Sequence, residues 1–167
     1  MHYFAYGSNM SLARLRERVP SAERLGRYAL EAHELRFHKC GKDGSGKCDA
    51  FFTGKPQHRV FGVLYRIDPG EKPVLDAVEG LGVGYDEKRV LLLGPSGEPI
   101  EACTYWALKT DRLLKPFSWY LNHVLIGAQE VQVPRHYIDR ISGVECIEDP
   151  DRERDAIQRA IHEVPLL

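Results

Sequence analysis

His2-Tyr3-Phe4-Ala5-Tyr6-Gly7-Ser8-Asn9-Met10 is the stretch on which the reading of the fold turns. Its first part, His2 to Tyr6, is short and rich in aromatics, as a buried strand is. It ends abruptly at Gly7-Ser8-Asn9, residue types that tolerate a tight or left-handed backbone. Ser11 then has the chemistry of a helix N-cap, and Leu12, Leu15 and Val19 recur at a spacing that puts them on one helical face. The opening segment therefore predicts strand, loop and helix, the helix running through Val19.

Working outward, Arg24 to Lys39 has a mixed pattern that is more strand-like than helical. A Gly- and Lys-rich turn, residues 41–47, separates it from Cys48 to Thr53. Val60 to Ile67 is almost continuously apolar, which suits a strand buried on both faces, and it stops at Asp68-Pro69-Gly70. Glu71 to Glu79 predicts a short helix with Pro73 in its first turn, Val74, Leu75 and Val78 on one side, and Gly80 as its stop. Tyr85 to Leu93 and Ile100 to Leu108 flank Gly94-Pro95-Ser96-Gly97 and read as a hairpin. The remainder is helical: one helix with Pro116 at its first position, a second from Pro134 carrying Tyr137, Ile138 and Ile141, and a last one over Asp151 to Ile161. Strands early and between, with helices at the end, indicate an α+β domain on a compact sheet, open or closed.

Composition narrows the partners. The chain has 167 residues, a length that one domain (1–167) accommodates, and its 23 Lys and Arg nearly balance 24 Asp and Glu. With no long basic run and no basic amphipathic helix, the sequence offers nothing to nucleic acid or to a membrane surface, and a small-molecule partner is expected. Met1 to Ala5 is too short for a signal peptide and no apolar stretch is long enough to span a bilayer, so a cytoplasmic location is expected. The oligomeric state is left open. The four cysteines, Cys40, Cys48, Cys103 and Cys146, lack CxxC spacing and read as reduced thiols. A sharper alternative lets Cys40 and Cys48 meet across a hairpin, with His38 nearby.

Phe4-Ala5-Tyr6-Gly7-Ser8-Asn9-Met10, followed about seventy residues later by Leu75-Asp76-Ala77-Val78-Glu79-Gly80, resembles the γ-glutamyl cyclotransferase family. A third stretch, from Pro116 through Gly127-Ala128-Gln129-Glu130 to Pro134 and Tyr137, is similar to that family's C-terminal helical segment, so the resemblance covers nearly the whole chain. It implies a small mixed β-barrel with flanking helices. It also implies the reaction, in which the substrate's α-amine attacks its own γ-carbonyl, giving 5-oxoproline and releasing the attached amine or amino acid. The resemblance implies no cofactor and no metal.

The chemistry suits these residues. Nucleophile and electrophile belong to one molecule, so the protein has to hold a reactive conformer, stabilise an oxyanion and move protons. An α-ammonium has an ordinary pKa of about 8 and must lose a proton before it attacks. By the resemblance Glu79 is the carboxylate that takes it, and burial is expected to raise its pKa and make it a better base. Tyr6, Gly7, Ser8 and Asn9 are expected to wrap the glutamyl end, since a glycine-containing turn leading into a helix presents N–H groups to an anion. A side chain at Gly7 would block that approach. The resemblance also places Tyr85, Tyr105 and Tyr120 in the pocket, bonding substrate or orienting Glu79.

The sequence departs from the animal members in the Gly-Ser-Gly turn at 42–47, which resembles bacterial relatives, and in the short segment between Glu79 and Tyr85. Both bear on the acceptor side of the pocket, so γ-glutamyl amino acids, γ-glutamyl amines and carrier-tethered γ-glutamyl groups stay open, as does a non-catalytic module that binds a γ-glutamyl metabolite. Ser8 with His123 is a poor serine-hydrolase pair, because no GxSxG elbow surrounds Ser8 and no acid accompanies the histidine.

Overall fold

The computed structural model describes residues 1–163. Its centre is a closed five-stranded barrel built from β1 (His2–Ala5), β2 (Glu23–Glu31), β5 (Arg59–Arg66), β6 (Tyr85–Leu93) and β7 (Pro99–Ala107), in the order β1-β5-β2-β6-β7. Neighbours are antiparallel except at the seam, where β1 runs parallel to β7 with Tyr3 opposite Cys103. The barrel is thus mixed, as the resemblance implies. Val63, Leu64 and Tyr65 of β5 are all buried, which explains the continuous apolar run there, and they join Phe4, Leu75, Leu92 and Val124 in the core.

The Arg24 to Lys39 segment divides in two. β2 enters the barrel, the chain reverses at Ala32 in a left-handed conformation (φ 58°), and β3 (His33–Cys40) leaves to form a separate two-stranded sheet with β4 (Gly46–Phe52). This hairpin is tied to the end of β7 and to the chain that follows it: Asp49 accepts from the Ala107 N–H at 2.9 Å and His38 O from the Asp111 N–H at 2.7 Å. Cys40 lies opposite Gly46 rather than Cys48, and all four cysteines are free.

α1 (Leu12–Arg16) follows Ser11, whose Oγ accepts from the Arg14 N–H as an N-cap does. It is shorter than the predicted helix through Val19, because Pro20 pushes the residue before it out of helical geometry. α2 (Lys72–Glu79) is where the sequence places it, but only Leu75 of its apolar trio is buried. Val74 and Val78 are exposed, because the helix touches the barrel along a strip one residue wide. α3 (Ser118–Glu130) starts after Phe117, two residues later than the expected start at Pro116, whose carbonyl instead accepts from the Ile147 N–H. α4 (Arg135–Ser142) and α5 (Arg152–Ala160) follow from Pro134 and Asp151 as expected. No helix among the described residues is long and apolar enough to cross a membrane.

Candidate active site

Four pieces of chain far apart in sequence meet at one end of the barrel. The first is the loop after β1, in which Ser8–Met10 form a single 3-10 turn closed by Met10 N–H to Gly7 O at 3.0 Å. As the first two residues of that turn, Ser8 and Asn9 have backbone N–H groups with no acceptor inside it. α3 fixes the turn from behind. A β-carbon on Gly127 would come within 2.4 Å of Met10 and Ser11 backbone atoms, so only glycine lets the helix lie so close. From the other side, the Tyr65 hydroxyl donates to Met10 O at 2.6 Å.

The second piece is the end of α2. Gly80 adopts a left-handed conformation (φ 69°) and closes the helix, with its N–H returning to Ala77 O and that of Leu81 to Asp76 O. Glu79 is thereby the last helical residue and faces the loop. Its Oε1 accepts from Asn9 Nδ2 at 2.8 Å and lies 3.6 Å from Arg18 Nη1, while no described residue bonds Oε2. Arg18 donates in turn to Asn9 Oδ1 at 2.8 Å. The carboxylate is anchored through one oxygen and keeps the other available.

β4 supplies Cys48, and the barrel strands with α3 supply a wall of tyrosines. Tyr3, Tyr6, Gly7, Ser8, Asn9, Cys48, Glu79, Tyr85, Thr104, Tyr105 and Tyr120 line a single small cavity of about 30 Å³. Every residue singled out from the sequence for a role in the site is among them. Gly7 has a negative φ (−112°), not a left-handed backbone, and its lack of a side chain serves packing, since a β-carbon there would sit 2.9 Å from Cys48 Cβ and 3.2 Å from the Tyr120 hydroxyl.

The tyrosines are not equivalent. Tyr6 donates its proton to Tyr105 O at 2.6 Å and Tyr85 donates to Cys48 O at 2.7 Å. Tyr105 donates to Asp76 Oδ1 at 2.6 Å, which clamps α2 three residues before Glu79. These three hydroxyls have spent their only proton on the scaffold. Tyr120 instead accepts from the Cys48 N–H at 2.9 Å, and Tyr3 accepts from Asn9 Nδ2 at 3.0 Å, so both keep a proton to donate. Burial pushes the pKa values of Tyr3 and Tyr120 well up, with the negative charge of Glu79 a further cause in each, so both stay protonated donors.

Tyr3, Cys48, Thr104 and Arg18 were not singled out from the sequence. Strand alternation puts Tyr3 and Tyr6 on opposite faces, and only the turn after Ala5 brings both rings to the cavity. Arg18 falls four residues after Arg14, a spacing that hints at a shared direction but names no partner. His123 is absent from the cavity. It is fully buried on α3 against Arg14 Nη1 (3.1 Å) and His162 (2.5 Å), and burial, with Arg14 next, pushes its pKa down to about 2. It is a neutral packing residue and offers nothing to Ser8.

The similarity to known proteins extends over most of the chain. The model of the AIG2-like family matches residues 59–141. The γ-glutamylcyclotransferase of Bos taurus is 27% identical over 148 residues, 86% of this chain and 78% of the bovine protein. That of Mus musculus is 26% identical over 164 residues, 95% of this chain and 86% of the mouse protein. A solved structure described as a γ-glutamyl cyclotransferase superposes with a TM-score of 0.85 at 23% identity, covering 96% of this chain and 98% of that one. With its mixed barrel, its glycine loop after β1 and its helix-terminal glutamate, the chain is similar to the γ-glutamylcyclotransferases and has the fold of the solved γ-glutamyl cyclotransferase.

Proposed function

We propose that this protein is a γ-glutamyl cyclotransferase that releases 5-oxoproline from a γ-glutamyl compound, with Glu79 as the proton carrier. The observation that carries the reading is the meeting of a half-bonded carboxylate with unspent hydrogen-bond donors in one small cavity. The curated relatives of similar length bear that activity in their names.

In this reading the glutamyl group enters the cavity with its α-ammonium on Glu79 Oε2. Glu79 accepts a proton, the amine nitrogen attacks the γ-carbonyl carbon, and a carbon–nitrogen bond forms as the carbonyl oxygen takes the negative charge. The Ser8 and Asn9 N–H groups and the Tyr120 hydroxyl are the donors for that oxygen, aimed before the charge appears. As the tetrahedral carbon collapses, the bond to the acceptor nitrogen breaks. Glu79 returns the proton to that nitrogen, so the products are 5-oxoproline and the free amine. The nitrogen that attacked loses its second proton by the same route. Asn9, Arg18 and the Tyr105–Asp76 clamp position Glu79 and do not touch the reacting atoms.

Residues 1–167 act as a single domain on a small-molecule substrate, without a cofactor. Four free thiols fit a cytoplasmic setting. The experiment is a panel of γ-glutamyl amino acids and amines assayed for 5-oxoproline. Wild-type protein should produce it from at least one compound, and Glu79→Gln should lose most of the yield while folding normally. Equal turnover by the variant would sink the assignment. Tight binding of 5-oxoproline and substrates without any turnover would make the protein a binding module instead.

A further inference from the structure

The cavity opens into a second depression that shares Ser8, Glu79, Tyr85 and Tyr120 with it. A γ-glutamyl group seated inside leaves its acceptor portion out here. The walls of this outer depression carry five cationic side chains, Arg14, Arg18, Lys39, Lys42 and Lys47, against two carboxylates, Asp43 and Glu79.

Most of these charges are already engaged. Lys47 Nζ donates to Asp43 Oδ2 and Ser45 Oγ, both at 2.7 Å, and lies over the Trp119 and Tyr120 rings. Arg18 serves Asn9 and Glu79, and Arg14 turns towards His123 and Gln158.

Lys39 differs. It is 7% exposed, its Nζ stands 4.5 Å from the centre of the Tyr85 ring, and no hydrogen bond or ion pair joins that nitrogen to any described residue. Gly84 makes room for it, since a β-carbon there would come within 2.9 Å of Nζ. Burial lowers the Lys39 pKa, the negative charge of Glu79 offsets this in part, and the positive charge of Lys42 lowers it further. An ammonium largely removed from water, with a ring face as its neighbour, is a group whose environment improves when an anion arrives. Lys39 lines the outer depression and not the inner cavity, so it faces the departing part of the substrate rather than the glutamyl end.

We propose that Lys39 is a specificity-determining residue of this chain, its ammonium anchoring a carboxylate on the released portion of the substrate, so that discrimination between an acid and its amide at that position depends on this one side chain. The proposal rests on the cyclotransferase reading of the inner cavity. Lys42, exposed at the rim, adds to the field that draws such an anion in.

The test compares γ-glutamyl-alanine with γ-glutamyl-alaninamide, which differ only in the acceptor carboxylate. Wild-type protein should favour the acid by about tenfold or more in kcat/KM, the size of one charge-assisted contact. In Lys39→Met, which keeps the stem packed beside Tyr85, the preference should fall to near unity, and Lys39→Gln should do the same if the first variant folds poorly. Added salt should raise the wild-type KM for the acid more than for the amide. A wild-type ratio near one, or a preference that survives both substitutions, would overturn the proposal and leave the cyclotransferase reading standing. Failure to form 5-oxoproline from any γ-glutamyl compound would instead overturn that reading, and the proposal with it.

Discussion

Two carboxylates in this molecule are held by an arginine and a side-chain N–H, and they are held to different ends. Asp149 is saturated: Oδ2 accepts from Trp119 Nε1 at 2.7 Å and Arg154 Nε at 2.6 Å, and Oδ1 from Arg154 Nη2 at 2.6 Å and the Asp151 N–H at 2.9 Å. Glu79 has partners on Oε1 only, and its arginine stands off at 3.6 Å. The first arrangement leaves no lone pair for chemistry and ties α3 to α5. The second orients a carboxylate yet keeps half of it open to a cavity. A carboxylate with unspent valence in a lined cavity is the one to suspect of function.

That contrast can be broken by swapping each acid for its amide. Glu79→Gln should lower kcat by about a thousandfold, within the range for loss of a general base, with little change in the unfolding midpoint. Asp149→Asn should do the reverse. Arg154 grips Asp149 through two nitrogens and Trp119 donates to the same carboxylate, so a lower unfolding midpoint is expected by denaturant titration. Its activity per folded molecule should be preserved.

The Asp149 effect also carries a pH signature. Hydrogen bonds from Arg154 hold its carboxyl well below the usual carboxylate range, so the stability it supplies is present above the unfolded value of about 3.9 and fades as pH falls below it. The gap in stability between wild type and Asp149→Asn should therefore narrow below about pH 4. A gap that stayed constant would mean that packing of the Trp119 ring, not the charge, is what matters.

Smaller effects should come from the residues that aim Glu79. Asn9→Ala removes the bond to Oε1 and should cost about ten- to a hundredfold in kcat, with KM changing less, because positioning rather than binding is lost. Tyr105→Phe frees Asp76 and the Glu79 end of α2, and a few-fold fall in kcat is expected with about 1 kcal/mol of stability, the worth of one hydrogen bond. If Tyr105→Phe proved as damaging as Glu79→Gln, its hydroxyl would have to act on the substrate directly.

Much of this was legible in the chain. Val60 to Ile67 and the hairpin around Gly94 to Gly97 announce strands because local pattern and burial agree there. Gly80 announces the end of α2 because the cap needs a left-handed residue. The exposure of Val74 and Val78 was not legible, since periodicity shows which residues share a face but not how wide a strip the partner covers. Nor was the departure of β3 from the barrel, which depends on the reversal at Ala32, a residue type that gives no warning of a positive φ. In the site, the motif residues came from resemblance, whereas Tyr3, Arg18, Cys48 and Thr104 meet partners remote in sequence: Tyr105, Glu79, Tyr85 and Phe4. The division among the tyrosines, some with protons spent and some with protons to give, exists only once those neighbours are in place.

The parallel seam has a bearing on how the chain reaches this state. Tyr3 pairs with Cys103, Thr104 Oγ1 donates to Phe4 O at 2.8 Å, and the Tyr6 hydroxyl reaches Tyr105 O, each contact closing a loop of roughly a hundred residues. Such long-range contacts come at a heavy entropic cost, and they gain little until the hairpins on either side have formed. The cavity straddles this seam, with the glycine loop on one bank and Thr104 and Tyr105 on the other. Closing the barrel and completing the cavity wall therefore rest on the same contacts, so regain of 5-oxoproline release on refolding should track closure of the seam.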